Sequence, residues 1–166
     1  LGVSIPSAGL LVSLYALGVT IGAPVLTAMA DRVPRKTLLL LLLALFTLGN
    51  AYAAFAPDYG SLVTARFITG LAHGVFFAIA STIATDLVEP EKESSAIALV
   101  FLGLTVALVT GVPLGTFIGQ NFGWQSTFLG VVALGVIGFI ASAILVPTNL
   151  TKTASAGIKA QLQVLT

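Results

Sequence analysis

The sequence predicts an all-α membrane protein with five transmembrane helices, and three observations lead to that fold class. Hydrophobic residues make up 57% of the 166 residues and charged residues only 8%, and the mean hydropathy is +1.09. Because a soluble domain carries about 25% charged residues, this chain has too few polar side chains to cover a surface that faces water. Finally, the apolar residues form stretches of about 20 residues or more, which is the length that crosses a bilayer.

Each of the five apolar stretches is bounded by short polar connections. Their predicted limits are residues 6–30, 37–56, 61–85, 95–119 and 126–147. The unbroken leucine run at 38–43 and the uniformly apolar fifth span predict that the second and fifth helices face lipid. The first, third and fourth spans are richer in Gly, Pro and polar residues, and they are the ones expected to line a path.

The distribution of basic residues predicts the orientation in the membrane. Six of them fall on one side: Arg32, Arg35, Lys36, Lys92, Lys152 and Lys159. The connections on the opposite side contain no Lys or Arg, so the positive-inside rule places the loop 31–36 and the C-terminus in the cytoplasm. The N-terminus is then outside, and five spans in that orientation lead us to expect one further span before Leu1.

Several classes of function are excluded by what the chain lacks. It has no cysteine and a single histidine, so a thiolate or multi-histidine metal site is impossible within it. It has no phosphate-binding loop, no dinucleotide fingerprint and no nucleophile–base arrangement. We therefore predict that the protein is not an enzyme and has no metal, no cofactor and no nucleic-acid partner. The lipid bilayer is its expected surrounding.

Arg66 and His73 are the candidate functional residues within the third span. Their separation of seven places them on one helix face, beside Gly70 and Gly74. A charged arginine in lipid costs at least about 2.5 kcal/mol, so Arg66 either faces the protein interior or extends its side chain outward to the interface. His73 either binds a proton or is a neutral histidine hydrogen-bonded to a neighbouring helix.

Small residues in the first and fourth spans indicate close helix packing or helix bending. Gly18 and Gly22 lie four residues apart, which permits a neighbouring backbone to approach, either as simple packing or as a moving gate contact. In the fourth span Pro113, which lies between Gly111 and Gly115, has no N–H to donate to the helix, so a kink is predicted there.

Asp86 ends the third span, where the helix dipole disfavours a negative charge. A cation should therefore lie beside it, and Arg32 or Arg35 on the same side of the membrane is the expected partner.

Three motifs in order resemble those of the major facilitator superfamily of transporters. Residues 31–36, Asp-Arg-Val-Pro-Arg-Lys, resemble the family signature between helices two and three, with Pro34 where the signature has glycine. Arg66-x-x-x-Gly70 resembles the helix-four motif, and residues 111–115 resemble the helix-five antiporter motif. The closest pattern is that of the drug–proton and sugar-efflux antiporters related to arabinose efflux permeases.

The resemblance implies a partial major facilitator fold. The five spans would be helices two to six, with helix one and the second six-helix half missing. Residues 1–147 would be a partial N-terminal transmembrane bundle, and residues 148–166 the start of the cytoplasmic central linker. The implied function is export of small organic molecules, sugar or drug-like, by proton antiport and alternating access in a bacterial inner membrane. The partners would be the substrate, protons and the missing half.

The resemblance also implies a role for each candidate residue. Proton coupling and the substrate cavity would involve Tyr15, Arg66 and His73. The bend of the antiporter motif would involve Gly111, Pro113 and Gly115, and close packing would involve Gly18, Gly22, Gly70 and Gly74. A cytoplasmic gate would be formed by the charged residues Asp31, Arg32, Arg35, Lys36 and Asp86.

Two other functions are compatible with the same sequence. The first is a facilitator or proton symporter that imports a sugar or a related solute. The second belongs to another class: a membrane assembly protein that transports nothing and whose glycine faces only pack helices.

Overall fold

The structure is a computed structural model that describes residues 3–30, 33–148 and 150. It contains five long helices: α1 (Ile5–Ala30), α2 (Arg35–Ala54), α3 (Tyr59–Asp86), α4 (Glu93–Phe122) and α5 (Trp124–Leu145). One turn of 3₁₀ helix, Pro90–Lys92, precedes α4. No strand occurs in the described part of the chain. The prediction of an all-helical chain with five long helices is confirmed.

Four of these helices, α2 to α5, are long and apolar enough to cross a membrane. In α1 the apolar stretch found within the described residues is shorter and covers Pro6–Gly22. Helices α4 and α5 suit lipid because most of their side chains are apolar and several hydroxyls of α4 are satisfied within the helix: those of Thr105, Thr110 and Thr116 donate to carbonyls four residues earlier.

The helix ends follow from local chemistry. Asp58 begins α3, where its carboxylate accepts a hydrogen bond of 2.8 Å from the backbone N–H of Ser61. That bond to the backbone of Ser61, followed by one to its hydroxyl, lowers the pKa of Asp58. Gly123 alone joins α4 to α5, and its φ of +86° explains why a glycine stands there.

Helix α3 lies at the centre of the bundle and packs against α1, α2 and α4. One core cluster joins Leu38, Leu39 and Leu42 of α2 to a row on α3 that includes Val75 and Ile79. A second cluster near the opposite end joins α2 and α3 through small residues such as Ala53 and Ala65.

The prediction that the leucine run of α2 faces lipid is therefore wrong for half of the run. Leu38, Leu39 and Leu42 are 4–6% exposed, whereas Leu41 is 56% exposed. An unbroken leucine run has no polar stripe, so the sequence cannot indicate which of its faces meets a neighbouring helix.

Helices α4 and α5 have no buried residue among those described. They pack on each other through Thr127, whose hydroxyl donates to the carbonyl of Gly115 at 3.1 Å. Helix α5 also packs on α2, where Gly135 lies against the buried Thr47. Large apolar side chains along both helices remain exposed, as expected of surfaces in contact with lipid or with further helices.

Candidate functional site

A polar cluster of three side chains lies between α1 and α3. The Tyr15 hydroxyl of α1 is hydrogen-bonded to Nδ1 of His73 on α3. The guanidinium carbon of Arg66, two turns earlier on α3, lies 4.1 Å from the centre of the Tyr15 ring. Tyr15 is therefore held by both of the basic residues predicted within the third span, and the structure brings all three together as expected. All three side chains are partly buried.

The contact between Arg66 and Tyr15 explains how a cation is tolerated here. An aromatic face attracts a guanidinium electrostatically, and the attraction strengthens as water is removed. Extension of Arg66 to the membrane interface, one of the two alternatives from sequence, is not what the structure shows. The guanidinium stays inside the bundle, over the ring of a neighbouring helix.

Four glycines make the cluster possible because they let α1 and α3 touch backbone to backbone. A Cβ at Gly18 would lie 3.2 Å from the Cα of Gly70, and one at Gly22 would lie 2.8 Å from the Cα of Leu71. Glycines on α3 have the reciprocal contacts, Gly70 with the carbonyl of Tyr15 and Gly74 with that of Val19. The predicted packing role of these glycines thus coincides with the register that sets Tyr15 beside His73.

His73 also borders an apolar cavity. Its ring lies 5.2 Å from that of Phe77 and 6.2 Å from that of Phe46, measured between centroids. Beyond them a cavity of about 630 Å³ opens between α2, α3, α4 and α5. Among the lining side chains in the part of the chain that the structure describes, His73 is the only polar one. The polar cluster is therefore connected to a space large enough for a drug-sized molecule or for part of a helix.

A second group of charged residues lies where α1 and α3 end and α2 begins, which we call the Arg35 end. Arg35 forms an ion pair with Asp86, and both side chains are mostly buried, at 15% and 12% exposed. Lys36 does not join this pair: its ammonium donates to the carbonyl of Ala143 in α5, at 2.8 Å. Asp31 and Arg32, also predicted for this group, lie outside the described residues.

The three residues of the predicted bend in α4 have different surroundings. Pro113 lies inside the helix. Gly115 contacts Thr127 of α5, while nothing lies within 4 Å of a Cβ placed at Gly111.

Sequence reasoning missed two features of these sites. Phe77 lies four residues after His73 on the same helix, a spacing that could have identified it, whereas no pattern distinguishes Phe46 from the other apolar residues of α2. The bond from Lys36 to Ala143 does have a sequence signal. Pro147 follows Ala143 by four residues and cannot donate the backbone hydrogen bond that this carbonyl would otherwise accept.

The fold and the clusters together define a multi-pass integral membrane protein with polar groups inside an apolar helix bundle. Among the described residues no group of three or more His, Cys, Asp or Glu side chains is placed to hold a metal ion. The family model for the Major Facilitator Superfamily matches residues 1–164. The chain therefore belongs to this superfamily, whose members are transporters and not enzymes.

Curated proteins with the same superfamily assignment are similar over most of this chain. The MFS-type transporter YtbD of Bacillus subtilis is 51% identical over 166 residues, which is 100% of this chain and 42% of that protein. The inner membrane transport protein YdhP of Escherichia coli is 45% identical over 139 residues, 84% of this chain and 36% of that protein.

A probable sugar efflux transporter of Pasteurella multocida is 36% identical over 132 residues, 80% of this chain and 32% of that protein. The chain thus spans about two fifths or less of the length of these curated relatives.

Proposed function

We propose that the chain is part of a secondary active transporter that exports small organic molecules, sugar or drug-like, by proton antiport and alternating access. The observation that carries the proposal is the cluster of Tyr15, Arg66 and His73 inside the bundle. Ionisable side chains are rare within membrane spans, where they mark substrate and ion pathways. The name of the Pasteurella relative supports export and a sugar-like substrate. The name of YdhP supports a bacterial inner membrane.

In this proposal Arg66 tunes a proton-binding group that lies near it in the bundle. A fixed positive charge in a region of low dielectric favours the deprotonated form of a neighbouring carboxyl group and the neutral form of a neighbouring histidine. The helices described here offer His73 for that role, at the edge of the cavity. The other source is a carboxylate in a part of the transporter beyond these residues.

We also propose that the five helices are helices two to six of the major facilitator fold and that helix one occupies the cavity between α2, α3, α4 and α5. An internal repeat supports this assignment. Gly22-x-Pro24 in α1 recurs as Gly111-x-Pro113 in α4. Helices α1 and α4 run in opposite directions, because an odd number of short connections separates them. Inverted repeats of this kind are the usual construction of transporters.

The repeat indicates what should pack on α4. Aligning the two prolines places Gly18 and Gly22 opposite Ala107 and Gly111. The first pair is covered by the backbone of α3. In the second pair, Ala107 lines the cavity and Gly111 has nothing within 4 Å. A helix that packed on α4 as α3 packs on α1 would cover both.

At the Arg35 end we propose a cytoplasmic gate that holds the outward-facing state and meets the missing second half. The ion pair of Arg35 with Asp86 supports a fixed arrangement there. Asp31, Arg32 and Lys36 remain proposed members of the gate. Gly111, Pro113 and Gly115 remain the proposed bend of α4. In this orientation the C-terminal residues 148–166 enter the cytoplasm as the central linker.

The test is transport by the full-length protein in inside-out vesicles energised with an imposed pH gradient. Radiolabelled mono- and disaccharides and chloramphenicol are the probes, with proton movement followed by a pH-sensitive dye. Substrate-dependent proton release, lost in Arg66→Ala but kept in Arg66→Lys, is the expected result. Export that persists unchanged in Arg66→Ala would exclude the coupling role.

The two alternatives give different outcomes in the same vesicles. A facilitator moves solute independently of the proton gradient, whereas a symporter moves solute in the same direction as protons. A membrane assembly protein moves none and has no water in the cavity. Single cysteines at positions 66 and 73 would then resist water-soluble thiol reagents in the full-length protein.

A further inference from the structure

The C-terminal end of α5, like that of every helix, leaves its last carbonyls without intrahelical donors, and the carbonyl of Ala143 is the first of these. In an α-helix each carbonyl accepts from the N–H four residues later. Ser142 follows this rule, because its carbonyl accepts from the N–H of Val146 at 3.1 Å. The carbonyl of Ala143 cannot do so, because position 147 is proline and proline has no N–H.

Lys36 supplies the missing donor from the other end of the sequence. Its Nζ lies 2.8 Å from the carbonyl oxygen of Ala143, 107 residues away. A cation is also the favoured charge at the C-terminal end of a helix, where the carbonyl dipoles point outward. Lys36 is partly buried, so this bond is shielded from competing water.

The neighbouring residue makes an equivalent contact with a different helix. Arg35 pairs with Asp86, the last residue of α3, while Lys36 bonds the last turn of α5. The two adjacent cations at the start of α2 thus hold the C-terminal ends of two helices. Beyond α5, Val146 and Leu150 pack against the core formed by α2 and α3.

We propose that Lys36 is a positioning residue that caps α5 and fixes the path by which the chain leaves the bundle. It replaces the amide that Pro147 lacks, and so it keeps Val146 seated against the core. Together with Arg35 it makes α2, α3 and α5 one rigid unit at the Arg35 end. This role goes beyond membership of a charged gate and does not depend on what the transporter carries.

The experiment measures local opening of the last turn of α5 in the full-length protein. The 166 residues contain no cysteine, so a single cysteine introduced here by Val146→Cys reports without background from them. Labelling by a membrane-impermeant maleimide in inside-out vesicles is timed. In Lys36→Met, which keeps the apolar stem, labelling should accelerate about tenfold, the order expected when a shielded carbonyl loses its donor. Lys36→Arg should label as slowly as Lys36.

The decisive variant restores the missing amide. Pro147→Ala restores an N–H and removes the restriction that proline places on Val146, so α5 can continue and satisfy the Ala143 carbonyl. In combination with Lys36→Met it should therefore return labelling close to the original rate. Lys92→Met is the matched control, because Lys92 is exposed and pairs only with Glu89 in its own turn. A second reporter at the far end of α5, Phe128→Cys, is labelled with the same maleimide in right-side-out vesicles; it separates local opening from general unfolding and should label equally in every background.

Three outcomes would overturn the proposal: equal labelling in Lys36→Met, no rescue by Pro147→Ala, or the same acceleration in Lys92→Met. Should Lys36→Met fail to fold, Lys36→Gln takes its place, because glutamine keeps a weaker donor. Adding Pro147→Ala to Lys36→Gln must then give the same labelling rate as the protein with Lys36. Because labelling needs no substrate, a negative transport assay leaves this result intact, and a negative labelling result leaves the transport proposal intact.

Discussion

The packed side of the molecule, helices α1 to α3, differs sharply from its open side, helices α4 and α5. On the packed side the glycines of α1 touch the backbone of α3, and α3 buries residues along its whole length. On the open side no described residue is buried. Yet both sides carry glycines at four-residue spacing and a proline within a long helix.

The comparison shows that regularly spaced small residues predict a close helix–helix contact but do not indicate which helix makes it. Gly18 and Gly22 have their partner within the described chain, while Gly103 and Gly111 have nothing within 4 Å. The polar cluster lies on the packed side, and the cavity lies between the two sides. Stability should therefore reside in α1 to α3, and substitutions on the open side should be mild until a further helix covers it.

The largest expected contrast lies within the leucine run of α2. Leu42→Ala should lower the free energy of unfolding by about 2–3 kcal/mol, which is the low end of the range for buried leucines. The loss is small because α2 stays in lipid when the helices separate, so the main cost is the cavity that the shorter side chain leaves in the core. Leu41→Ala, one residue away, should have little effect. Leu42 is 4% exposed and Leu41 is 56% exposed. Thermal unfolding of the detergent-solubilised protein measures both.

This pair of variants matches residue type, helix and depth, so only the direction of the side chain differs. Equal losses in the two variants would mean that α2 does not present the face described here to α3. The buried face of the run would then have to be assigned again.

The next contrast compares a glycine from each side. Gly70→Ala should destabilise by about 1–2 kcal/mol, because its new Cβ meets the backbone carbonyl of Tyr15 and the two helices must separate. Gly103→Ala should be neutral or stabilising, because a Cβ there meets nothing and alanine is the better helix former. The readout is again thermal unfolding.

Full-length protein sharpens this comparison further. If a helix packs on α4 as proposed, Gly111→Ala should destabilise the full-length transporter, whereas the residues described here offer nothing for that methyl group to meet. A harmless Gly111→Ala in the full-length protein would count against helix one lying in the cavity.

Much of the fold and part of the site follow from sequence. Hydropathy predicts the five helices because lipid leaves no other way to satisfy backbone amides. The dipole argument at Asp86 predicts a cationic partner, either Arg32 or Arg35, and in the structure Arg35 forms the ion pair. The spacing of Arg66 and His73 predicts that they share a face of α3, and both contact Tyr15.

The remainder depends on tertiary contacts that no local pattern specifies. Which leucines of α2 are buried is decided by the position of α3, not by their own spacing. Phe77 lies four residues after His73 on the same face of α3, but the ring of Phe46 becomes a neighbour of His73 only once α2 packs on α3. Pro147 indicates from sequence that the carbonyl of Ala143 lacks a backbone donor, but it does not indicate that Lys36 supplies one.

The smallest expected effect compares the first turns of α3 and α5. Asp58 caps α3, whereas the residue before α5 is Gly123, which makes no side-chain cap. Because the hydrogen bonds from Ser61 lower the pKa of Asp58 in the folded state, the cap contributes fully above the ordinary carboxyl pKa of about 4. Its contribution is lost as the pH falls through the lowered folded-state value.

Asp58→Asn isolates this term, because asparagine caps a helix nearly as well and does not titrate. As the pH is lowered from about 7 through the carboxyl range, the unfolding temperature of the unchanged protein should fall relative to that of Asp58→Asn. Acidic residues common to both proteins, such as Asp86, cancel in the difference. Parallel curves across the range would mean that Ser61 does not hold the carboxylate, and that the start of α3 is no better anchored than the start of α5.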